Sequence, residues 1–225
     1  MNCTRKAQND LMGTLPFEVS WLSELEDLNV NSNYLHGTIP NQLGHKLKNL
    51  RLLQLFDNEM TGTLPLWLFG TDSDPSGGNY VTKNLELVLL GYNLFTGTIP
   101  TSRTIYSHIR RLQFGTNLVS GTIPAELFDI SSSPDDFDLF GVSFADNLLT
   151  GAIPTTIGKL RGLNFIDFNE NQLSGSIPSE IGLLEELEWL FLRGNQLRYD
   201  LLFRPCLCIA LVQHSFPTVH SDESV

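Results

Sequence analysis

Ile166-Asp167-Phe168-Asn169-Glu170-Asn171-Gln172-Leu173-Ser174-Gly175-Ser176-Ile177-Pro178-Ser179-Glu180-Ile181-Gly182-Leu183-Leu184 carries three local signals in succession. Ile166 and Phe168, split by one polar residue, have the period-2 signature of a short strand with one buried face. Gly175-x-Ile177-Pro178 is a turn, since Gly accepts backbone conformations that side chains resist and Pro fixes φ where no N–H is needed. Ile181 and Leu184 then repeat at the three-residue spacing of a short helical turn. Strand, turn and helical turn together form one supersecondary unit, and a unit this small cannot bury its own apolar face.

The same unit recurs along the chain. Gly-x-[Ile/Leu]-Pro begins at Gly13, Gly37, Gly62, Gly97, Gly121, Gly151 and Gly175. Four residues before each Gly stands an Asn: Asn9, Asn33, Asn58, Asn93, Asn117, Asn147 and Asn171, with an eighth, Asn195, 24 residues further on. The spacings of 24, 25, 35, 24, 30, 24 and 24 give a period of 24, with surplus residues in the third and fifth intervals. Both surpluses fall on turn-rich stretches and predict loops inserted at about 71–82 and 131–138. An Asn closing each strand can turn inward, its amide donating to and accepting from backbone groups freed by the bend, so the eight are expected to stack into a structural ladder.

The form Asn-x-Leu-[Ser/Thr]-Gly-x-Ile-Pro-x-x-[Leu/Ile]-Gly resembles the plant-type leucine-rich repeat of receptor-like kinase ectodomains and polygalacturonase-inhibiting proteins, from Asn9 to Leu197. The resemblance implies an α/β right-handed solenoid of about eight rungs, with a parallel sheet on the concave face and short helical turns on the convex one. At about 4.8 Å per rung the sheet would extend roughly 34 Å, a scale suited to a peptide or protein edge. The solenoid is expected over 1–200, entered mid-repeat, with a non-repeat tail at 201–225 serving as an improvised cap or as an accidental extension. The family usually supplies cysteine-paired caps, and Cys3, Cys206 and Cys208 form no recognisable pair of them. Uncapped ends invite association. The isolated chain is therefore expected to self-associate, and a clean monomer in light scattering at high micromolar concentration would contradict that.

Composition narrows the function. Fourteen Lys+Arg against 25 Asp+Glu give a net charge of −11, which repels a phosphate backbone and argues against nucleic acid. The longest apolar run, Cys206 to Val212, is far below the roughly 20 residues that span a bilayer, so no direct membrane insertion is expected. Asp72-x-Asp74-x-Ser76-Gly77 imitates a calcium loop but has Lys83 where a bidentate Glu belongs, and Asp135-Asp136-Phe137-Asp138 lacks further ligands. The five histidines show no metal-binding pairing, and no nucleophile elbow, phosphate loop or kinase motif is present. No metal, no cofactor and no enzyme activity are expected.

What remains is recognition. Aligning rungs on the ladder Asn reads out the exposed columns of the concave face: Gly141, Ser143, Ala145 and Asp146; then Phe165, Asp167, Asn169 and Glu170; then Trp189, Phe191, Arg193 and Gly194, with Tyr92 in an earlier rung. Phe165 and Trp189 share a column, Phe191 lies beside them, and Asp167, Glu170 and Arg193 stand around the edge. An apolar centre with a charged rim is the anatomy of an interaction hot spot. The competing expectation is that the tail folds over this patch. The resemblance implies a protein or peptide ligand, held as by the extracellular or cell-surface domain of a receptor-like protein without its membrane and kinase parts. Its alternatives are a secreted inhibitor of a wall-degrading enzyme and a truncated gene product with no activity of its own.

Overall fold

The computed structural model describes residues 9–69, 84–101, 109–129 and 139–198. The inserted loops expected at about 71–82 and 131–138, the 201–225 tail and all three cysteines lie outside the described residues. Seven strands form one wholly parallel sheet in chain order: Asp27–Asn29, Leu52–Gln54, Leu87–Leu89, Arg111–Gln113, Gly141–Ser143, Phe165–Asp167 and Trp189–Phe191. Pairing is without slip, since Phe165 aligns with Gly141 on one side and Trp189 on the other, and Ile166 with Val142 and Leu190. The central residue of every strand is buried, from Leu28 to Leu190. The two flanking residues point to the opposite face, as the pleat requires. The strand segment of the Asn9 rung, which the expectation of about eight rungs includes, lies outside the described residues.

Four residues past each strand, just after the chain bends, the ladder Asn turns in. Asn171 shows the arrangement. Its Nδ2 donates to the carbonyls of Phe168, Asn169 and, one rung back, Phe144, at 3.3, 3.0 and 3.0 Å. Its Oδ1 accepts the N–H of Leu149 at 3.0 Å. Asn33, Asn58, Asn93, Asn117, Asn147 and Asn195 accept in the same way from the rung before, from Leu11, Leu35, Met60, Phe95, Val119 and Leu173. Asn9 is the first described residue, and its expected place in the ladder depends on residues that lie outside those described. The residue before each ladder Asn from Asn33 to Asn195 lies in the left-handed region, including Tyr92 at φ 54° and Glu170 at φ 48°. A side chain there is strained, and the ladder bonds on the following Asn hold it in place.

The segment after the ladder differs from the turn expected of Gly-x-Ile-Pro. It forms a second parallel sheet along the flank, with Met12–Thr14, Tyr34–Gly37 and Glu59–Met60 in one part and Ser120–Thr122, Leu148–Gly151, Gln172–Ser176 and Gln196–Arg198 in the other. Bridges at Thr63–Thr96 and Thr98–Ser120 connect the two parts. The glycines keep the positive φ anticipated for a turn, 76° to 97° from Gly13 to Gly175. Their neighbours nonetheless stay extended and bond from rung to rung. Beyond the Pro, the convex side among the described residues consists of 3₁₀ turns at 17–21, 66–69, 125–128, 155–159 and 179–183 and one α-helical turn at Gln42–Lys46. Pro16, Pro124, Pro154 and Pro178 sit in extended conformation immediately ahead of four of these turns.

Between the sheets and the helical turns lies one continuous apolar core. Its middle is a stack of phenylalanines three residues before the ladder Asn: Phe114 and Phe144 with ring centroids 4.2 Å apart, Phe144 and Phe168 at 5.3 Å. All three rings are fully buried.

Candidate ligand-binding surface

The outer face of the seven-stranded sheet brings together the predicted residues of the last three rungs. Strand pairing sets Phe165 beside Trp189 and Asp167 beside Phe191. The three aromatics touch: Phe165 meets Phe191 edge-on at 5.8 Å, and Trp189 stacks with Phe191 at 6.1 Å. Trp189 is 46% exposed, unusual for an indole held on a regular strand. Arg193 Nε lies 3.6 Å from Glu170 Oε1, an exposed pair that fixes the rim more than it stabilises the fold. Tyr92 stands apart from this group, with its ring 5.0 Å from that of Phe56 in the adjacent column of the preceding rung. The face therefore carries two aromatic anchors.

Between the anchors the floor is low. The column two residues before the ladder Asn runs Asn31, Phe56, Gly91, Gly115, Ala145, Asn169, Arg193. At its ends the asparagines do work that sequence reasoning missed. Asn31 Oδ1 accepts the N–H of Phe56 at 2.8 Å, and Asn169 Oδ1 accepts that of Arg193 at 2.7 Å. Each caps an amide of the following rung that the sheet itself leaves open.

Electrostatics around Asp167 are asymmetric. Burial pushes its carboxyl up to about 6, against the N–H of Asn169, which donates to Oδ1 at 3.1 Å, and with further upward pressure from Asp146. Asp146 is itself raised, by burial and by the charge of Glu170, opposed by a hydrogen bond with the Thr116 side chain. A carboxyl whose native pKa exceeds its unfolded value costs stability once ionised. The cost is absent below the unfolded pKa of about 4 and grows as pH rises through about 6. Two units correspond to about 3 kcal/mol at most, and partial solvent access reduces this to about 1. Asp167→Asn is thus expected to raise the unfolding midpoint at pH 7.5 and to leave it unchanged at pH 4. Equal shifts at both pH values would contradict the assignment.

The family model for Leucine Rich Repeat matches residues 24–46 and 162–184. These segments are similar to leucine-rich repeats, and the chain is similar to proteins built from them. It is 32% identical to Receptor-like protein 35 of Arabidopsis thaliana over 125 residues, 56% of this chain and 12% of that protein. The chain thus spans about an eighth of this relative's length. Its fold matches the Arabidopsis receptor kinase HAESA, solved in complex with the peptide hormone IDA and the co-receptor SERK1, with a TM-score of 0.72 and 30% identity over 86% of this chain and 29% of that one. A plant ice-binding protein matches with a TM-score of 0.64 and 29% identity, over 84% of this chain and 54% of that one. The leucine-rich-repeat solenoid that the resemblance implied is therefore the fold, of the kind found in plant receptors. No helix among the described residues is long and apolar enough to cross a membrane.

Proposed function

We propose that the outer face of the seven-stranded sheet recognises a peptide or protein segment, as part of an extracellular receptor-like protein. The observation that carries this reading is the exposed cluster of Phe165, Trp189 and Phe191 on a rigid sheet, rimmed by Asp167, Glu170 and Arg193. A large apolar area with a charged rim is what a hot spot needs, because the rim excludes water while the aromatics are desolvated. The likeness to a receptor kinase solved with a peptide hormone supports the same reading. Trp21, 70% exposed on a convex turn, provides the control. Trp189→Ala is expected to weaken a peptide selected on the chain by about thirtyfold, about 2 kcal/mol, and Trp21→Ala to leave affinity unchanged. A lower unfolding midpoint for Trp189→Ala with unchanged affinity would show that the indole serves packing instead.

A second reading rests on the flank sheet. From Gly62 to Gly175 the residue before each Gly bears a hydroxyl, Thr61, Thr96, Ser120, Thr150 and Ser174, and so does the residue after it, Thr63, Thr98, Thr122 and Ser176, except at Ala152. The columns are about 6.8 Å apart and repeat about every 4.8 Å. The methyls of Thr38, Thr63, Thr98 and Thr122 lie 2.7, 2.8, 2.9 and 2.9 Å from where a Cβ on the next rung's Gly would be, filling that gap and fixing the rotamer. Thr96, Ser120 and Thr150 donate to the preceding Gly carbonyl at 3.3, 3.1 and 3.3 Å. A flat, uncharged lattice of fixed hydroxyls suits an ordered water surface, and one structural neighbour is an ice-binding protein. This reading expects the chain to inhibit ice recrystallisation and Thr98→Tyr to abolish the effect; ordinary grain growth in the presence of the unmodified chain would eliminate it.

A further inference from the structure

The capping asparagines show where a ligand atom belongs. Asn31 and Asn169 each place an amide oxygen on the N–H of the next rung, at 2.8 and 2.7 Å. In the rungs between, the same column holds Gly91 and Gly115, which have no side chain to do so. The amides of Gly115 and Ala145 donate to no group among the described residues. Unpaired backbone donors at a partly covered site are costly unless water or a ligand meets them. Two of them, one rung apart, lie on a floor walled by Phe56 and Tyr92 on one side and by Asp146, Asp167 and the aromatic cluster on the other.

Charge decides what oxygen can sit there. Asp146 and Asp167 repel one another, and Glu170 repels Asp146. Among the charged groups nearby, Arg193 is held by Glu170, and Arg111 lies over the Phe140 ring at 5.1 Å. A carboxylate or sulfate set on the two amides would meet these acidic neighbours undercompensated. A neutral peptide carbonyl would not, and a basic side chain on the same peptide would relieve the repulsion between Asp146 and Asp167 while its stem covers Phe165 and Phe191.

We infer that the trough over Gly91, Gly115 and Ala145 takes the backbone of an extended, basic peptide, whose carbonyl oxygens occupy the places of the missing asparagine amides and whose Lys or Arg points to Asp146 and Asp167. This rests on the proposed recognition function and assigns its site and the chemistry of its ligand. Gly115→Asn tests it, since the substitution supplies the oxygen that Asn31 and Asn169 supply on their rungs. Gly115 does not have the positive φ that would exclude a side chain. An added Cβ comes within 3.2 Å of the Ala145 carbonyl, so the fold is first checked by circular dichroism and the unfolding midpoint.

The probe is a display library of random heptapeptides selected on the unmodified chain. The expected result is enrichment of Lys and Arg over Asp and Glu. The selected peptides should then bind at least tenfold more weakly to folded Gly115→Asn and to the double variant Asp146→Asn/Asp167→Asn. Peptides that bind Gly115→Asn and the double variant as well as the unmodified chain, yet lose affinity for Trp189→Ala, would overturn this inference and leave the recognition function standing. Failure to select any peptide would overturn both. If Gly115→Asn does not fold, the double variant alone decides, and undiminished binding to it overturns the inference.

Discussion

Phe144→Ala is expected to lower stability by about 3–5 kcal/mol, the loss typical of truncating a buried phenylalanine whose surroundings cannot collapse. Phe144 is fully buried between two rings, stacked on Phe114 at 4.2 Å and on Phe168 at 5.3 Å. Neither neighbour is free to close the gap, because each belongs to a rung pinned by its own ladder Asn. The cavity would therefore persist. Urea unfolding measures the effect, and a loss under about 1.5 kcal/mol would mean that the rungs slide together more readily than the ladder bonds allow.

The second large effect is at Asn171. Alanine there removes one acceptor and three donations in a site only 7% exposed, leaving the N–H of Leu149 unpaired. Each orphaned buried group costs about 1–3 kcal/mol. A total of about 3 kcal/mol is expected. Asn169, two residues earlier, looks equivalent in sequence and bonds Arg193 N at 2.7 Å, but that bond is solvent-exposed and water can replace it. Asn169→Ala should cost less than about 1 kcal/mol. Equal midpoint shifts for the two would show the strand register to be misassigned.

The contrast between these two asparagines illustrates what the sequence could disclose. Asn171 was legible because it recurs at a fixed period and must bond the bend it sits in. Asn169 was not, because only Asn31 shares its column and its role, and two copies do not make a pattern. The apolar positions of the strands, and with them the columns of the outer face, followed from period-2 alternation alone. The pairing of Phe165 with Trp189 needed nothing further, since in a solenoid residues at equal phase are neighbours.

The flank sheet escaped for a physical reason. Ser-Gly-Thr and Thr-Gly-Thr read locally as turns, and their glycines do hold positive φ. They become strands or bridges only because similar segments stack in register, which is a property of the assembled rungs and not of any one of them. The same holds for Gly115. As a residue it is an unremarked small side chain in a column, and only the bonds of Asn31 and Asn169 on other rungs reveal the vacancy it leaves. The balance between 3₁₀ and α turns on the convex side was beyond reach for a simpler reason: segments of four or five residues carry too little periodicity to separate them.

The claim that the outer sheet face is the binding surface is tested most directly by hydrogen–deuterium exchange of the chain with and without a heptapeptide selected on it. New protection is predicted at 113–116, 143–146 and 189–193, centred on the amides of Gly115 and Ala145, with exchange unchanged in the flank strands Ser120–Thr122 and Leu148–Gly151 and in the convex turns at 125–128 and 155–159. Protection confined to the flank strands or the convex turns, with the Gly115 and Ala145 amides exchanging as before, would contradict it.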